Sequence, residues 1–176
     1  GDAHETNCGA RYRNMLGRFP WRTLGLEPGR SKGSECLWYA VSGSWEAAGA
    51  NERHLLNTAA SGQLRVLAAD GNTLIAGSTA GERPVAVIIA PGPPIAGQIR
   101  ATAGSGVEQC GGSFVANRYL DNHAATGINN SNVSNVADAI DDFISGDPGS
   151  TVVNDQMIFI TRSEIDAYTE FVKIYG

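Results

Sequence analysis

Few residues in this 176-residue chain are of the types that make or break bonds, and their spacing limits what they can do. A serine nucleophile on a strand-to-helix turn needs Gly-x-Ser-x-Gly, which the sequence lacks. Ser42 stands in Val-Ser-Gly-Ser and Ser78 in Gly-Ser-Thr-Ala-Gly, small-residue settings that make turns. Cys110, ahead of Gly111-Gly112, and His123 are the pair a thiol mechanism would use; that mechanism needs a free thiolate, so a bridged Cys110 would exclude it. The three histidines, His4, His54 and His123, fall in separate polar segments with no two spaced four apart, which excludes a helical metal pair. Asp147, Asn154 and Asp155 are oxygen donors in and after a Gly/Pro loop, the ligand type that calcium takes, although their spacing departs from the EF-hand pattern. Gly104-Ser105-Gly106 has Gln109 where a dinucleotide fingerprint needs its third glycine. No nucleophile, base and acid converge, and the sequence predicts a non-enzymatic chain without a bound cofactor, calcium at Asp147, Asn154 and Asp155 being the one alternative.

Three cysteines are too few for a disulfide framework, and the absence of Cys-x-x-Cys argues against zinc. Cys8 and Cys110 sit beside glycines in polar sequence that suits a bridge, while Cys36 opens an apolar run. The disulfide expected here is Cys8–Cys36, whose loop closure is worth about 3.5 kcal/mol in the chain-entropy model. The odd count also leaves open three reduced thiols, or a fourth cysteine upstream. The chain begins Gly1-Asp2-Ala3-His4-Glu5 with no Met, so upstream sequence is expected to be missing.

These groups must be positioned by a fold that composition already bounds. Charged residues make up 18%, below the usual ~25%, while apolar residues reach 42% and glycines number 22. The net charge is −5 and no Lys/Arg stripe is interleaved with aromatics, which excludes a nucleic-acid partner. No run approaches the ~20 apolar residues of a membrane span. One domain over 1–176 is expected, with an irregular arm at 1–17 and a core from 18 to 176.

Strand formers bounded by turn residues predict strands at 36–43, 63–69, 73–76, 85–90 and 157–161. Asp70-Gly71-Asn72 joins the second and third as a hairpin. Val85 to Ala90 has no polar residue and is expected to be covered on both faces; Pro91, Pro93 and Pro94 stop it and stiffen the loop that runs to Arg100. Helices are expected at 51–60, around 113–120, at 136–144 and from an N-cap at Ser163. Phe19, Trp21, Leu24 and Leu26 should plug a core edge that Trp38, Tyr39 and Phe159 share. Asn129 to Asn135 reads as an exposed loop suited to a partner. Together these elements predict an α+β fold with an antiparallel sheet, short helices and long loops.

Several segments, in order, resemble prepilin-type proteins, the type IV pilins and type II secretion pseudopilins. They are Gly17-Arg18-Phe19-Pro20-Trp21-Arg22-Thr23-Leu24-Gly25-Leu26, Glu35-Cys36-Leu37-Trp38-Tyr39-Ala40-Val41-Ser42-Gly43, the stretch from Val85 to Arg100, Tyr119-Leu120-Asp121, and Asn154-Asp155 before the last strand. The resemblance implies a pilin-like head whose long N-terminal hydrophobic helix has been truncated, and it carries over no catalytic residue. It implies a periplasmic or cell-surface location with inner-membrane anchoring through that missing helix, and other pilin or pseudopilin subunits as partners. Some pseudopilins bind calcium in a loop near the C-terminus, which Asp147, Asn154 and Asp155 suit loosely. The rival expectation is a soluble periplasmic hydrolase or ligand-binding protein using Cys110, His123 or the 147–155 region.

Overall fold

A computed structural model describes residues 12–32, 34–45, 60–100, 110 and 113–175, with side chains of the final helix described to Tyr168. Cys8, His4, His54, the 104–106 glycines, the arm before Tyr12 and nearly all of the helix expected over 51–60 lie outside these residues. Nine strands and one α-helix are described: β1 (Met15–Arg18), β2 (Trp38–Val41), β3 (Leu64–Ala68), β4 (Leu74–Ala76), β5 (Pro84–Ala90), β6 (Asn122–His123), β7 (Ile128–Asn129), β8 (Asp141–Ser145), β9 (Gln156–Thr161) and α1 (Arg162–Tyr175). The α+β class holds.

Four strands form an antiparallel sheet in the order β1-β2-β5-β9. Its register sorts side chains into rows. Leu16, Ala40, Val87 and Phe159 are aligned, as are Arg18, Trp38, Ile89 and Met157, and both rows face inward. Met15, Val41, Ala86 and Ile160 make one outer row; Gly17, Tyr39, Ile88 and Ile158 make the next. β5 was expected to be covered on both faces. Instead Val87 and Ile89 are fully buried while Ala86, Ile88 and Ala90 are half-buried, because the described residues cover the outer rows only in part, Phe19 meeting Tyr39 edge-on.

The second sheet, β4-β3-β8, is mixed. Its β3–β4 hairpin is the one expected: Asp70 accepts the N–H groups of Asn72 and Thr73 at 2.9 and 2.8 Å, and Gly71 takes φ +67. The Thr73 hydroxyl, which donates to Asp70 Oδ2 at 2.6 Å, and these two N–H groups hold the Asp70 carboxyl down at about 2. β8, however, runs parallel to β3 where an amphipathic helix was expected over 136–144. Long-range contacts override the helical spacing here. Asp138 adopts φ +59 and donates its N–H to Tyr12 O, the Asp141 N–H goes to Gln63 O, and Arg65 clasps Asp142 with two hydrogen bonds of 2.6 and 2.7 Å. Val136 and Ile140, two members of the supposed apolar stripe, are exposed.

Trp38, Tyr119, Phe143, Leu16, Leu64 and Ile89 are the largest buried side chains, drawn from both sheets and the 116–120 segment. That segment makes only a 3₁₀ turn, Ala116–Arg118. Arg18 belongs to this core as well: its guanidinium lies 4.3 Å from the Trp38 ring and 4.2 Å from Tyr119, and it donates to Cys36 O and Ser113 O. Sandwiching between aromatic faces compensates the lost hydration of a buried cation. Of the predicted core-edge residues, Phe19 and Trp21 are half-buried while Leu24 and Leu26 are exposed. The chain makes a turn from Pro20 to Gly25, closed by Leu24 N–H to Pro20 O and by Gly25 at φ +66. α1 starts two residues earlier than expected. Thr161 and Glu164 form its capping box, with Thr161 N–H donating to Glu164 Oε2 at 2.7 Å and Glu164 N–H donating back to Thr161 Oγ1 at 3.3 Å.

Cys36 is bonded to Cys110, not to the expected Cys8. The bridge spans 74 positions and, in the chain-entropy model, is worth about 4.5 kcal/mol. Spacing along the chain favoured the shorter loop. The fold instead brings Cys110 and Ser113 beside the start of β2, where Arg18 spans Cys36 O and Ser113 O.

Candidate functional site

The segment after β5 keeps its shape through a buried polar network that no local pattern announces. Asp121 and Asp155, 34 positions apart, fasten each other's backbone. Asp121 Oδ2 accepts the N–H groups of Asn154 and Asp155 at 2.5 and 2.7 Å. Asp155 Oδ2 accepts the N–H of Asp121 at 2.8 Å and Asn130 Nδ2 at 2.9 Å. Asn130 completes the circuit by pairing with the backbone of β8 as a neighbouring strand would: Nδ2 donates to Ile144 O and Oδ1 accepts the Ile144 N–H, each at 2.8 Å. Buried backbone groups must find partners, and these side chains supply them where no strand reaches.

The proline loop hangs from this network. Gln98 Nε2 donates to Asp121 Oδ1 at 3.0 Å, and Asn154 Nδ2 donates to Pro93 O at 2.8 Å. Arg100 donates to Gly92 O, Gln98 Oε1 and Tyr119 O at 2.8, 2.7 and 3.1 Å, and pairs with Glu35 at 3.3 Å. Gly92 is required by contact: a Cβ there would sit 2.4 Å from Asn154 Oδ1 and Cγ.

Asp121 and Asp155 are both fully buried. Loss of hydration, partly offset by the N–H donors, raises the Asp121 carboxyl above its usual range. Burial and the neighbouring Asp121 charge push Asp155 up to about 7, against the pull of Asn130, the Asp121 N–H and Arg100. Asp155 Oδ1 has no hydrogen-bond partner among the described residues and is the oxygen left for that proton.

The three oxygen donors singled out in the sequence do not form a set. Asp147 is exposed and caps its own turn, accepting the Gly149 N–H at 2.9 Å, whereas Asn154 and Asp155 are buried in the network, where Asp155 Oδ2 accepts N–H donors and Asn154 Nδ2 donates to Pro93 O. Asp147 thus stands apart from the other two, and among the described residues no three His, Cys, Asp or Glu side chains gather to hold a metal. The disulfide consumes the Cys110 thiol, so the Cys110–His123 mechanism has no nucleophile; His123 Nδ1 lies 2.8 Å from Thr126 Oγ1 within its own hairpin. The 129–135 loop, expected to be exposed, is pinned at two points by fully buried Asn130 and by Val133. Sequence reasoning missed Asp121 and Asn130 as structural centres, since their partners lie in other segments.

Two clefts flank the strands. One, of about 300 Å³, runs between the Pro91–Pro93 bend, Lys32 and the 148–149 turn; the other, of about 370 Å³, lies between β4 and β9. Among the described residues, Lys32 is the one charged group of the first and Glu82 of the second, so neither cleft brings an acid and a base together. The conspicuous surface is the outer side of the four-stranded sheet. Its rows hold no charged residue, and Ile158 and Ile160 are 67% and 49% exposed. Comparisons of the chain with family profiles, curated proteins and solved structures returned no match.

Proposed function

We propose that this chain is the non-enzymatic, extracytoplasmic head of a minor pilin or pseudopilin-like protein, a structural subunit of a type IV pilus or type II secretion filament. The observation that supports this most is the uncharged outer face of the sheet, with Ile158 exposed at its margin. In the family the sequence resembles, a long N-terminal helix lies against the head's sheet. Four strands about 4.8 Å apart span about 14 Å, and a helix with its side chains is about 10–12 Å across, so one helix matches the width of the face. Covering exposed isoleucines contributes up to about 1.5–3 kcal/mol apiece. The Cys36–Cys110 bridge agrees with an oxidising compartment outside the cytoplasm. The buried network gives the head its mechanical part: a proline loop cross-tied at Gly92, Pro93, Gln98 and Arg100 keeps one shape as neighbouring subunits press on it.

The test is to express the natural gene product with any upstream segment and to delete the gene. The protein should fractionate with the inner membrane, and its loss should impair piliation or secretion. A full-length product that stays soluble and whose deletion changes neither would overturn the proposal.

A further inference from the structure

Among the described residues β9 is an edge strand, and none of them supplies the usual protections of one. Natural sheets guard their edges with lysine, proline, a bulge or a covering element, because an open row of N–H and C=O groups templates another strand. β9 reads Gln156-Met-Ile-Phe-Ile-Thr161, with no charge and no proline, and its pairing with β5 runs unbroken from Gln156 to Ile160. The other outer strands of the two larger sheets differ, β8 carrying Asp141 and Asp142. β4 has three residues and an irregular register, and β1 has four and carries Arg18.

Beside β9 there is room. The cleft of about 370 Å³ separates its inward residues Phe159 and Thr161 from β4, whose Leu74 and Ile75 are exposed. A strand added to this edge would gain main-chain hydrogen bonds, point alternate side chains into that cleft, and extend the outer isoleucine row with the others.

We infer that the occupant is β9 of a second copy, paired antiparallel about a two-fold axis. A strand without charges can oppose itself with no like charges facing, whereas a charged peptide would find no complement on it. With the axis at Phe159, Ile158 of one copy faces Ile160 of the other, joining two four-stranded sheets into one of eight strands. The contact is isologous and closed, so it stops at the dimer. It uses the edge rather than the outer face and does not depend on the pilin-like reading.

Sedimentation of the 176-residue chain over a concentration series, with amide hydrogen exchange of 157–160 at each end of the series, tests this. The weight-average mass should approach twice the monomer, and the outward amides of β9 should become protected as it does. Ile158→Lys should weaken association at least about tenfold, with the thermal midpoint unchanged at concentrations low enough that both proteins are monomeric. Four results would overturn the pairing: a monomer throughout, open-ended oligomers, a dimer indifferent to Ile158→Lys, or a dimer whose β9 amides exchange at the monomer rate. The last would mean that outer faces stack instead.

Discussion

The Asp121–Asp155 network and the Ile158–Ile160 margin lie at opposite ends of the same strand segment, and they have opposite completeness. At the entrance to β9, most of the polar groups are paired within the chain, Asn154 Oδ1 and Asp155 Oδ1 being exceptions among the described residues, although the groups involved are the ones a reader would pick for chemistry. Along β9 itself, apolar side chains that stabilise nothing when wet are left in water. A self-satisfied polar cluster is architecture. An unsatisfied apolar one has free energy still available, and that is where an interaction belongs.

The contrast breaks first if the network proves dispensable. Asp121→Ala leaves the buried N–H groups of Asn154 and Asp155 and the Gln98 amide without their acceptor, and should cost about 3 kcal/mol in urea unfolding. A loss below about 1 kcal/mol would mean that the network is ornamental.

pH sharpens the same point. Because the folded Asp155 carboxyl is raised to about 7, the native state holds a proton there that the unfolded chain releases near the ordinary carboxylate range. The stabilisation is complete below that range and is lost as pH rises through about 7. The groups facing it are Asp121, which opposes ionisation, and Arg100, itself shared with Glu35, which favours it. Unfolding free energy should therefore fall by about 2–3 kcal/mol between about pH 5 and 8. Asp155→Asn, which keeps the acceptor for Asp121 N–H, should flatten that slope. An unchanged slope in this variant would assign the titration elsewhere.

The smallest effect is expected at the margin. Ile158→Ala should change stability by no more than about 0.5 kcal/mol, while Ile89→Ala, the same truncation on the buried face, should cost about 3 kcal/mol. Similar losses at both positions would mean that the outer face is covered.

Much of the fold was legible where the cause was local. Asp70-Gly71-Asn72 turned the chain as those residue types require, and the run from Val85 ended where proline removes a donor. The same reasoning failed at 136–144, where apolar spacing fits a helix but Asp138, Asp141 and Asp142 are engaged by Tyr12, Gln63 and Arg65. Of the site residues, Asn154 and Asp155 stand out in the sequence for their oxygens, as alternative cation donors beside Asp147. Their true partners, Asp121 and Asn130, stand 34 and 25 positions away from Asp155.

By itself, then, the sequence determined the positions of most strands, the hairpin, the proline-stiffened loop and the α+β class, because steric and hydrogen-bonding preferences act over a few residues. Tertiary structure alone decided that Cys36 meets Cys110 across 74 positions, that 141–145 joins β3 as a parallel strand, and that two carboxyls share a buried circuit. It also decided which isoleucines stay wet. Each of these depends on how distant segments divide the available partners and the available interior, and no local spacing records that division.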